Sequence, residues 1–457
     1  MFRLDCEGQE RVTIMQDAKR GSAFSSSLSS SVGPDLISPL ARDILRVGQA
    51  AFLADRAFRR GNRLGQQMRR LRVTIPVENP RRWRAISLEV ERLAEFVSHD
   101  VWRFDFVPLK QRAPSRSVTR PKLRYVSPYS SILLFSNGLD SLCGLAAAMK
   151  RGEVPILVSH SPPGRQQVID KSTALTQSLE GESEGPLFFN FYFKVHDRDS
   201  SGKRSLFPER SRRTRPMLFL CMAGAVALEL NVRKIHLNEN GVLAVNLPFR
   251  AHLNGPQISR HAHPETLRRF EHMLKRIWPH RGAPIVSNPF SDCTKAEELG
   301  VLGNAGHLAK TTVSCEYAGQ QVAHLIKWLR THSRGKTKVA VKECGLCMPC
   351  LIRRTALRAA GFKDQGGRYA FDYRIVFRNP VFYANSPLFS SVSSHVRTLH
   401  DFCWEISSSK PSDFMIKYAY ELSLACEAGP AFSKGSKEIF ALYQRFASEV
   451  LPALERR

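Results

Sequence analysis

Apolar and polar positions change period along this chain, and the changes mark its elements. Residues 69–77 (RRLRVTIPV) read as a strand entered from a basic turn. Residues 83–96 carry apolar positions at helical spacing, and 101–107 (VWRFDFV) alternate like a second strand. From residue 131 the pattern shifts. SILLF (131–135) predicts a short buried strand, 142–150 a helix, 154–159 a strand, 166–179 a helix and LFFNFYF (187–193) a strand. A long apolar helix over 215–230 and a strand over 234–237 follow. Strands alternating with helices predict an α/β fold, a parallel sheet with helices on both faces. Residues 373–377 are strand-like, and helical spacing runs from there to the end. The Ser-rich stretch 22–34 has no apolar period. Four segments result: a flexible leader (1–35), an α+β domain (36–125), the α/β domain (126–365) and a mainly helical extension (366–457). No internal repeat is visible.

Composition changes the picture in two ways. At 457 residues, with 43% hydrophobic and 9% aromatic content, the chain can bury a sizeable core, which excludes global disorder. Its 68 Lys+Arg against 41 Asp+Glu leave a formal net charge of +27. Residues 41–125 alone hold 20 Lys+Arg against 8 Asp+Glu. Such a field favours polyanions, so nucleic acid, nucleotides and an acidic protein are the expected partner classes. Residues 1–20 are polar and charged, unlike a secretory signal. The longest apolar run, 217–230, contains Glu229 and falls short of the ~18 residues that span a bilayer. A cytoplasmic protein with no membrane partner is expected.

The first candidate chemistry lies at Ser136-Asn137-Gly138-Leu139-Asp140-Ser141, between a buried strand and a helix. A helix N-terminus offers unpaired N–H groups and a positive dipole end, which suit phosphate. Gly138 permits a tight turn and close approach of the backbone. Ser136 and Ser141 can donate hydroxyls to phosphate oxygens. Asp140 suits Mg²⁺, a hard cation that takes oxygen ligands. In open α/β sheets ligands bind at the carboxyl ends of strands. Glu239, just past the strand at 234–237, is therefore a candidate for pairing with the N–H donors of a guanine-like base.

The second is a cluster. Of the ten cysteines, Cys344, Cys347 and Cys350 form C-x-x-C-x-x-C, and Cys315 lies 29 positions before Cys344. A triplet plus one distant thiolate fits a tetrahedral zinc site in a reducing compartment. Spacing alone leaves His307 and Cys293 as competitors for the fourth position, and an iron–sulfur cluster as a rival to zinc.

Together these motifs resemble a known family. The loop resembles the SGGxDS signature of the PP-loop ATP pyrophosphatases, with Asn137 in place of the first glycine. Ser314-Cys315, followed by Cys344-Gly345, Cys347, Cys350 and Arg353, is similar to the SC…CGxCxxCxxR pattern of the 7-cyano-7-deazaguanine synthases. Thr294-Lys295-Ala296-Glu297 resembles their TKAE segment. Arg215 sits four before Phe219-Leu220, as an arginine does there, with Pro216 replacing an asparagine. The resemblance covers residues 131–362, about half of the chain. It implies an adenine nucleotide alpha hydrolase-like sheet binding ATP and Mg²⁺, with Zn²⁺ held by Cys315, Cys344, Cys347 and Cys350. It further implies that Asp140, Arg215 and Lys295 assist adenylation of a carboxylate, 7-carboxy-7-deazaguanine, towards a 7-deazaguanine nitrile or amide, the chemistry of queuosine biosynthesis. The basic N-terminal region and the C-terminal extension make the layout resemble the QueC-like component of Qat anti-phage defence systems. That implies antiviral defence, with an amine on a partner protein as acceptor. Two alternatives stand beside it: a PP-loop enzyme that thiolates tRNA, and a non-catalytic nucleotide-binding subunit.

Overall fold

The computed structural model describes residues 2–9, 12–14, 24–29, 38–61, 68–109, 129–136, 138–160, 187–195, 208–209, 211–249, 260–278, 282–316, 343–364, 368–373, 393–426 and 435–455. Asn137, the helix expected at 166–179, residues 374–377 and most of the basic stretch 198–215 lie outside these. The chain divides into two compact units. One comprises Met1–Ser136, Ala148–Asn238 and Gly255–Asn288; the other comprises Asn137–Ala147, Glu239–Asn254 and Pro289–Arg457.

In chain order the strands are β1 (Phe2–Cys6), β2 (Val12–Ile14), β3 (Phe24–Ser29), β4 (Arg70–Val77), β5 (Val101–Pro108), β6 (Ser131–Leu134), β7 (Pro155–His160), β8 (Leu187–Val195), β9 (Lys234–His236) and β10 (Ile285–Ser287). The helices are α1 (Pro39–Ala57), α2 (Pro80–Arg84), α3 (Ser87–Ser98), α4 (Leu139–Lys150), α5 (Arg215–Leu230), α6 (Gly241–Val245), α7 (Pro264–Ile277), α8 (Lys295–Leu299), α9 (Met348–Ala359), α10 (Ser394–Ser408), α11 (Pro411–Lys417), α12 (Ala419–Cys426) and α13 (Ser436–Glu455). A 3₁₀ stretch, Gly300–Thr311, follows α8.

The first unit holds both sheets. The smaller has the order β2-β1-β4-β5. Period two sorts β4: Leu71, Val73 and Ile75 are buried while Arg70 and Arg72 are exposed. Helices α1 and α3 pack on this sheet. The larger sheet has the order β10-β9-β6-β7-β8-β3, with five parallel strands and β3 antiparallel at the edge. This is the expected α/β core. Its central strands β6 and β7 are apolar runs, as double burial requires: Ile132 and Leu133 in β6, and Ile156, Leu157 and Val158 in β7, are all buried. Helix α5, apolar for nearly its whole length, packs on β6, β7 and β9. In the five parallel strands the order by sequence is 3-2-1-4-5, so it reverses between β6 and β9. Crevices at such switch points are where doubly wound sheets bind ligands.

The segment read as a leader is corrected here. Residues 2–6 pair antiparallel with β4, Arg3 opposite Thr74, and residues 24–29 pair with β8, Phe24 opposite Val195. Helix α1 joins the two sheets within this unit. It packs on β1 and β4 on one side and on α5 on the other. A side chain at Gly48 would meet Cys221 Cβ at 2.7 Å, so the close approach of α1 to α5 needs glycine.

The second unit is helical. Helix α13 packs on α6, α9, α10 and α11. Its Tyr443 hydroxyl donates to Val242 O at 2.8 Å and accepts from Leu247 N at 2.9 Å, which ties α6 to the C-terminal helices. The core here includes Phe402, Phe414, Phe440 and Phe446 together with Cys315, Cys344, Cys347 and Cys350.

Candidate functional site

Strand β6 ends at the carboxyl edge of the larger sheet, and the chain passes through exposed Ser136 into the turn before α4. Gly138 precedes the helix, Leu139 is its buried first residue, and Asp140 follows. This is the geometry in which helix N–H groups are presented to an anion. The Ser141 hydroxyl donates to Gly138 O at 2.9 Å, which braces the turn.

Asp140 is met by Lys295. The ammonium bonds Asp140 Oδ1 and lies 3.3 Å from Glu298 Oε2. Lys295 opens α8, whose entry is set by Thr294. The Thr294 hydroxyl accepts from Glu297 N at 3.2 Å, and the Glu297 carboxylate accepts from Thr294 N at 2.8 Å. Such a capping box contributes about 1 kcal/mol. The C-terminal helices reinforce it, since Thr294 Oγ1 donates to Glu449 at 2.6 Å and Arg445 pairs with Glu297 at 2.7 Å. The TKAE segment is thus a built platform that aims one lysine at the turn.

The charges on this platform are poorly compensated. Glu298 is wholly buried, and among the described residues its carboxylate meets the Lys295 ammonium but no hydrogen-bond donor in good geometry. Burial raises its carboxyl above the usual value despite Lys295. Burial likewise lowers the Lys295 ammonium, against the pull of Glu298. Glu239 accepts from Asn240 Nδ2 at 3.0 Å. Burial, and then the negative Glu298, push its carboxyl up to about 8. Glu239 is therefore mostly protonated at neutral pH and can both donate and accept a hydrogen bond. Burial also raises the Cys143 thiol, one turn beyond Asp140, which keeps it neutral.

Arg215 belongs to the sheet-bearing unit. It opens α5 and lies 4.8 Å over the ring of Phe219, whose centroid is 5.9 Å from that of His160 at the carboxyl end of β7. Burial, and then Arg215, push the His160 imidazole down to about 4, so it is neutral at pH 7. The structure therefore brings Asp140, Lys295 and Glu298 together, and separately groups Arg215 with Phe219 and His160.

The cysteine cluster forms as expected. The sulfurs of Cys315, Cys344, Cys347 and Cys350 all lie within 4.8 Å of one another and all four residues are buried. Cys344 and Cys350 sulfurs are 4.0 Å apart, and those of Cys347 and Cys315 3.9 Å. A zinc–sulfur bond of about 2.3 Å in a tetrahedron sets sulfur–sulfur edges of about 3.8 Å. The donor set thus fits one tetrahedral ion. It is too tight for the wider cage of an iron–sulfur cubane. Neither Cys293 nor His307 belongs to it. Gly345, at φ +88°, makes the knuckle, where a side chain would strike Phe371 O at 2.3 Å. Backbone amides turn onto sulfur: Cys347 N reaches Cys344 Sγ and Cys344 N reaches Cys315 Sγ, each at 3.3 Å. Hydrogen bonds from the other three cysteines, Cys315 first, lower the Cys344 thiol.

Of the residues that brace this cluster, sequence reasoning named Arg353 in the motif and missed Glu343 and Arg368. Glu343, wholly buried, accepts from Ser314 N at 2.6 Å and Cys315 N at 3.1 Å. Arg368 bonds Glu343 and the carbonyls of Lys310 and Thr312. Arg353, the last position of the cysteine motif, is 2% exposed and donates to Thr312 Oγ1 at 2.7 Å and Ala309 O at 2.6 Å. Of the two that were missed, only Glu343 carried a local signal, a carboxylate beside the first cysteine of the triplet. Among the described residues no helix is long and apolar enough to cross a membrane. Compared with known proteins, the chain matches no family model and no curated sequence.

Proposed function

We propose that the chain is a PP-loop ATP pyrophosphatase akin to the 7-cyano-7-deazaguanine synthases, and that it uses ATP to adenylate a carboxylate, 7-carboxy-7-deazaguanine. The observation that carries this reading is the pairing of Lys295 with Asp140 in the first turn of α4, just after Gly138. A carboxylate and an ammonium at the mouth of a phosphate-type turn supply both signs of charge that nucleotide activation needs.

In this reading the N–H groups at the start of α4 and the turn around Gly138 grip the phosphates. A substrate carboxylate oxygen attacks the α-phosphorus, the bond to the bridging oxygen breaks, and pyrophosphate leaves with the bonding electrons. The product is an acyl-adenylate. Asp140 would hold Mg²⁺, which neutralises the departing pyrophosphate. Lys295, released from Asp140, turns its charge onto the same oxygens. Protonated Glu239 pairs with a purine-like edge. An amine or ammonia nitrogen then attacks the acyl carbon and expels AMP; an amine on a partner protein would serve equally, in keeping with a role in anti-phage defence. The four cysteines suit a structural zinc, because thiolates fill every position of the tetrahedron.

Pyrophosphate release from ATP in the presence of 7-carboxy-7-deazaguanine tests the proposal. Wild type should release it, and Asp140→Ala should lower the rate at least about 100-fold. Equal release by both proteins would remove Asp140 and the turn from the chemistry.

A further inference from the structure

We infer that Glu343 and Arg368 form a clamp that commits Cys315 to the metal, so that the fourth thiolate is chosen by a buried ion pair outside the cysteine motif. The inference deepens the metal reading above and rests on it.

The triplet needs no such help. Cys344, Cys347 and Cys350 lie on one knuckle and the first turn of α9, so local geometry brings their sulfurs together. Cys315 comes from elsewhere in the sequence, and something must hold its backbone against the knuckle. Glu343 does so from the position next to Cys344. Its Oε1 accepts from both Ser314 N, at 2.6 Å, and Cys315 N, at 3.1 Å. Its Oε2 is taken by Arg368 Nε. The rest of the Arg368 guanidinium reaches back to the same segment, to Lys310 O at 2.6 Å and to Thr312 O. Residues 343–344 and 368–371 also pair through their backbones, with Ala370 N donating to Glu343 O at 2.9 Å and Phe371 N to Cys344 O at 3.0 Å. One carboxylate and one guanidinium thus span three pieces of chain: the segment bearing Cys315, the knuckle and residues 368–371.

The electrostatics explain why the clamp is a pair. A divalent ion held by four thiolates is net negative, and Glu343 beside it adds a further negative charge. Buried and alone, that carboxylate would oppose metal binding. Arg368 neutralises it, while Arg353 and Arg354 supply positive charge nearby. Arg354 donates to Gly345 O at 3.3 Å and lies 4.4 Å over the ring of Tyr369. The carboxylate cannot be replaced by its amide without loss. Glutamine keeps one acceptor oxygen where Glu343 uses two, and its NH₂ would face the Arg368 donors. Partners outside the ligand shell commonly change metal affinity by ~10–100-fold.

The test uses the full chain loaded with Co²⁺, whose sulfur-to-cobalt charge-transfer band reports the number of thiolates. Wild type, Glu343→Gln, Arg368→Lys and, as a three-thiolate reference, Cys315→Ser are titrated against a chromophoric chelator. Wild type should show a four-thiolate band. Glu343→Gln should lose about 10–100-fold in metal affinity, its band should fall towards that of Cys315→Ser, and its Cys315 should be alkylated faster. Arg368→Lys keeps the charge with fewer donors and should fall between, which preserves the test if the glutamine variant fails to fold. Wild-type affinity and band in both clamp variants would overturn the clamp and leave the metal site standing. A wild-type chain that takes up neither Co²⁺ nor Zn²⁺ would overturn the metal reading and the clamp with it.

Discussion

Two buried charge networks in this molecule have opposite character. In the sheet-bearing unit, Arg60, Arg69, Asp55 and Asp100 form a saturated knot. Arg69 alone donates to Asp55 Oδ1 and Asp100 Oδ2 at 2.6 Å each, and to Asp55 O and Phe58 O at 2.7 and 2.6 Å. Arg60 bonds Asp100 Oδ1 and Oδ2 at 2.7 and 2.6 Å, and Thr214 N closes the remaining Asp55 oxygen at 3.0 Å. Burial alone would raise Asp55, yet Arg69 and Arg60 hold its carboxyl below the usual value. In the helical unit, Lys295 and Glu298 are buried and Glu239 is half-buried, and each is shifted towards its neutral form. A network that satisfies every donor builds structure. One whose members are shifted towards their neutral forms beside a phosphate-type turn is the kind that functional sites carry.

The knot joins the end of α1 (Asp55), the starts of β4 and β5 (Arg69 and Asp100) and the N-terminus of α5 (Thr214). Removing one member strands the others without water. Arg69→Met should therefore lower the stability of the folded chain by about 3–5 kcal/mol, read as a shift in the denaturant midpoint. A shift below about 1 kcal/mol would mean that the knot is not holding the two sheets together. Because the Asp55 carboxyl is held low, its contribution is present above the usual carboxylate pKa and is lost as pH falls through the folded value.

The same operation on the other network should have the reverse outcome. Lys295→Met removes a desolvated ammonium, and Glu298 can answer by taking up a proton. Stability should change by less than about 2 kcal/mol, while pyrophosphate release should fall about 100-fold or more, because charge stabilisation at the leaving group is lost. Near-normal turnover together with a large loss of stability would reverse the comparison and make Lys295 a structural residue.

What the sequence made legible follows from the range of the interactions involved. Strands β6, β7, β8 and β9 and helix α5 were visible because each is a local apolar run. The cysteine triplet was visible because its ligands are neighbours in the chain. The edge strand β3, with four serines among its six residues, has no apolar period, and only its backbone pairing with β8 makes it a strand. Strand β1 lies between the three-residue β2, its neighbour in sequence, and β4, about 70 positions away, so most of its pairing is long-range. Glu298, Glu343 and Arg368 were missed for a related reason. An isolated charged residue reads as surface until its surroundings are known; the partners of Glu343 and Arg368 come from distant segments, while Glu298 pairs locally with Lys295. The join between the Arg-rich segment and the α/β core was equally hidden, since it rests on Gly48 meeting Cys221 and on Asp55 meeting Thr214.

The smallest expected effect tests the second network by its titration. The Glu239 carboxyl stands at about 8 in the folded chain and near 4.5 when unperturbed. The folded state thus binds this proton more tightly than the unfolded state does. The resulting contribution is full below about 4.5 and is lost as pH rises towards and through about 8. Glu239→Gln cannot ionise, so its stability should fall less between pH 5 and 9 than that of wild type. The difference should grow to about 1–3 kcal/mol at the alkaline end, after allowance for solvent reaching the partly exposed side chain. Because Glu298 supplies the second push, Glu298→Gln should move the inflection of the wild-type curve to lower pH. Paired unfolding curves at pH 5, 7 and 9 decide the matter. Parallel curves for Glu239→Gln and wild type would mean that Glu239 stays ionised throughout, like the satisfied carboxylates of the knot, and that it cannot donate a hydrogen bond to a base at neutral pH.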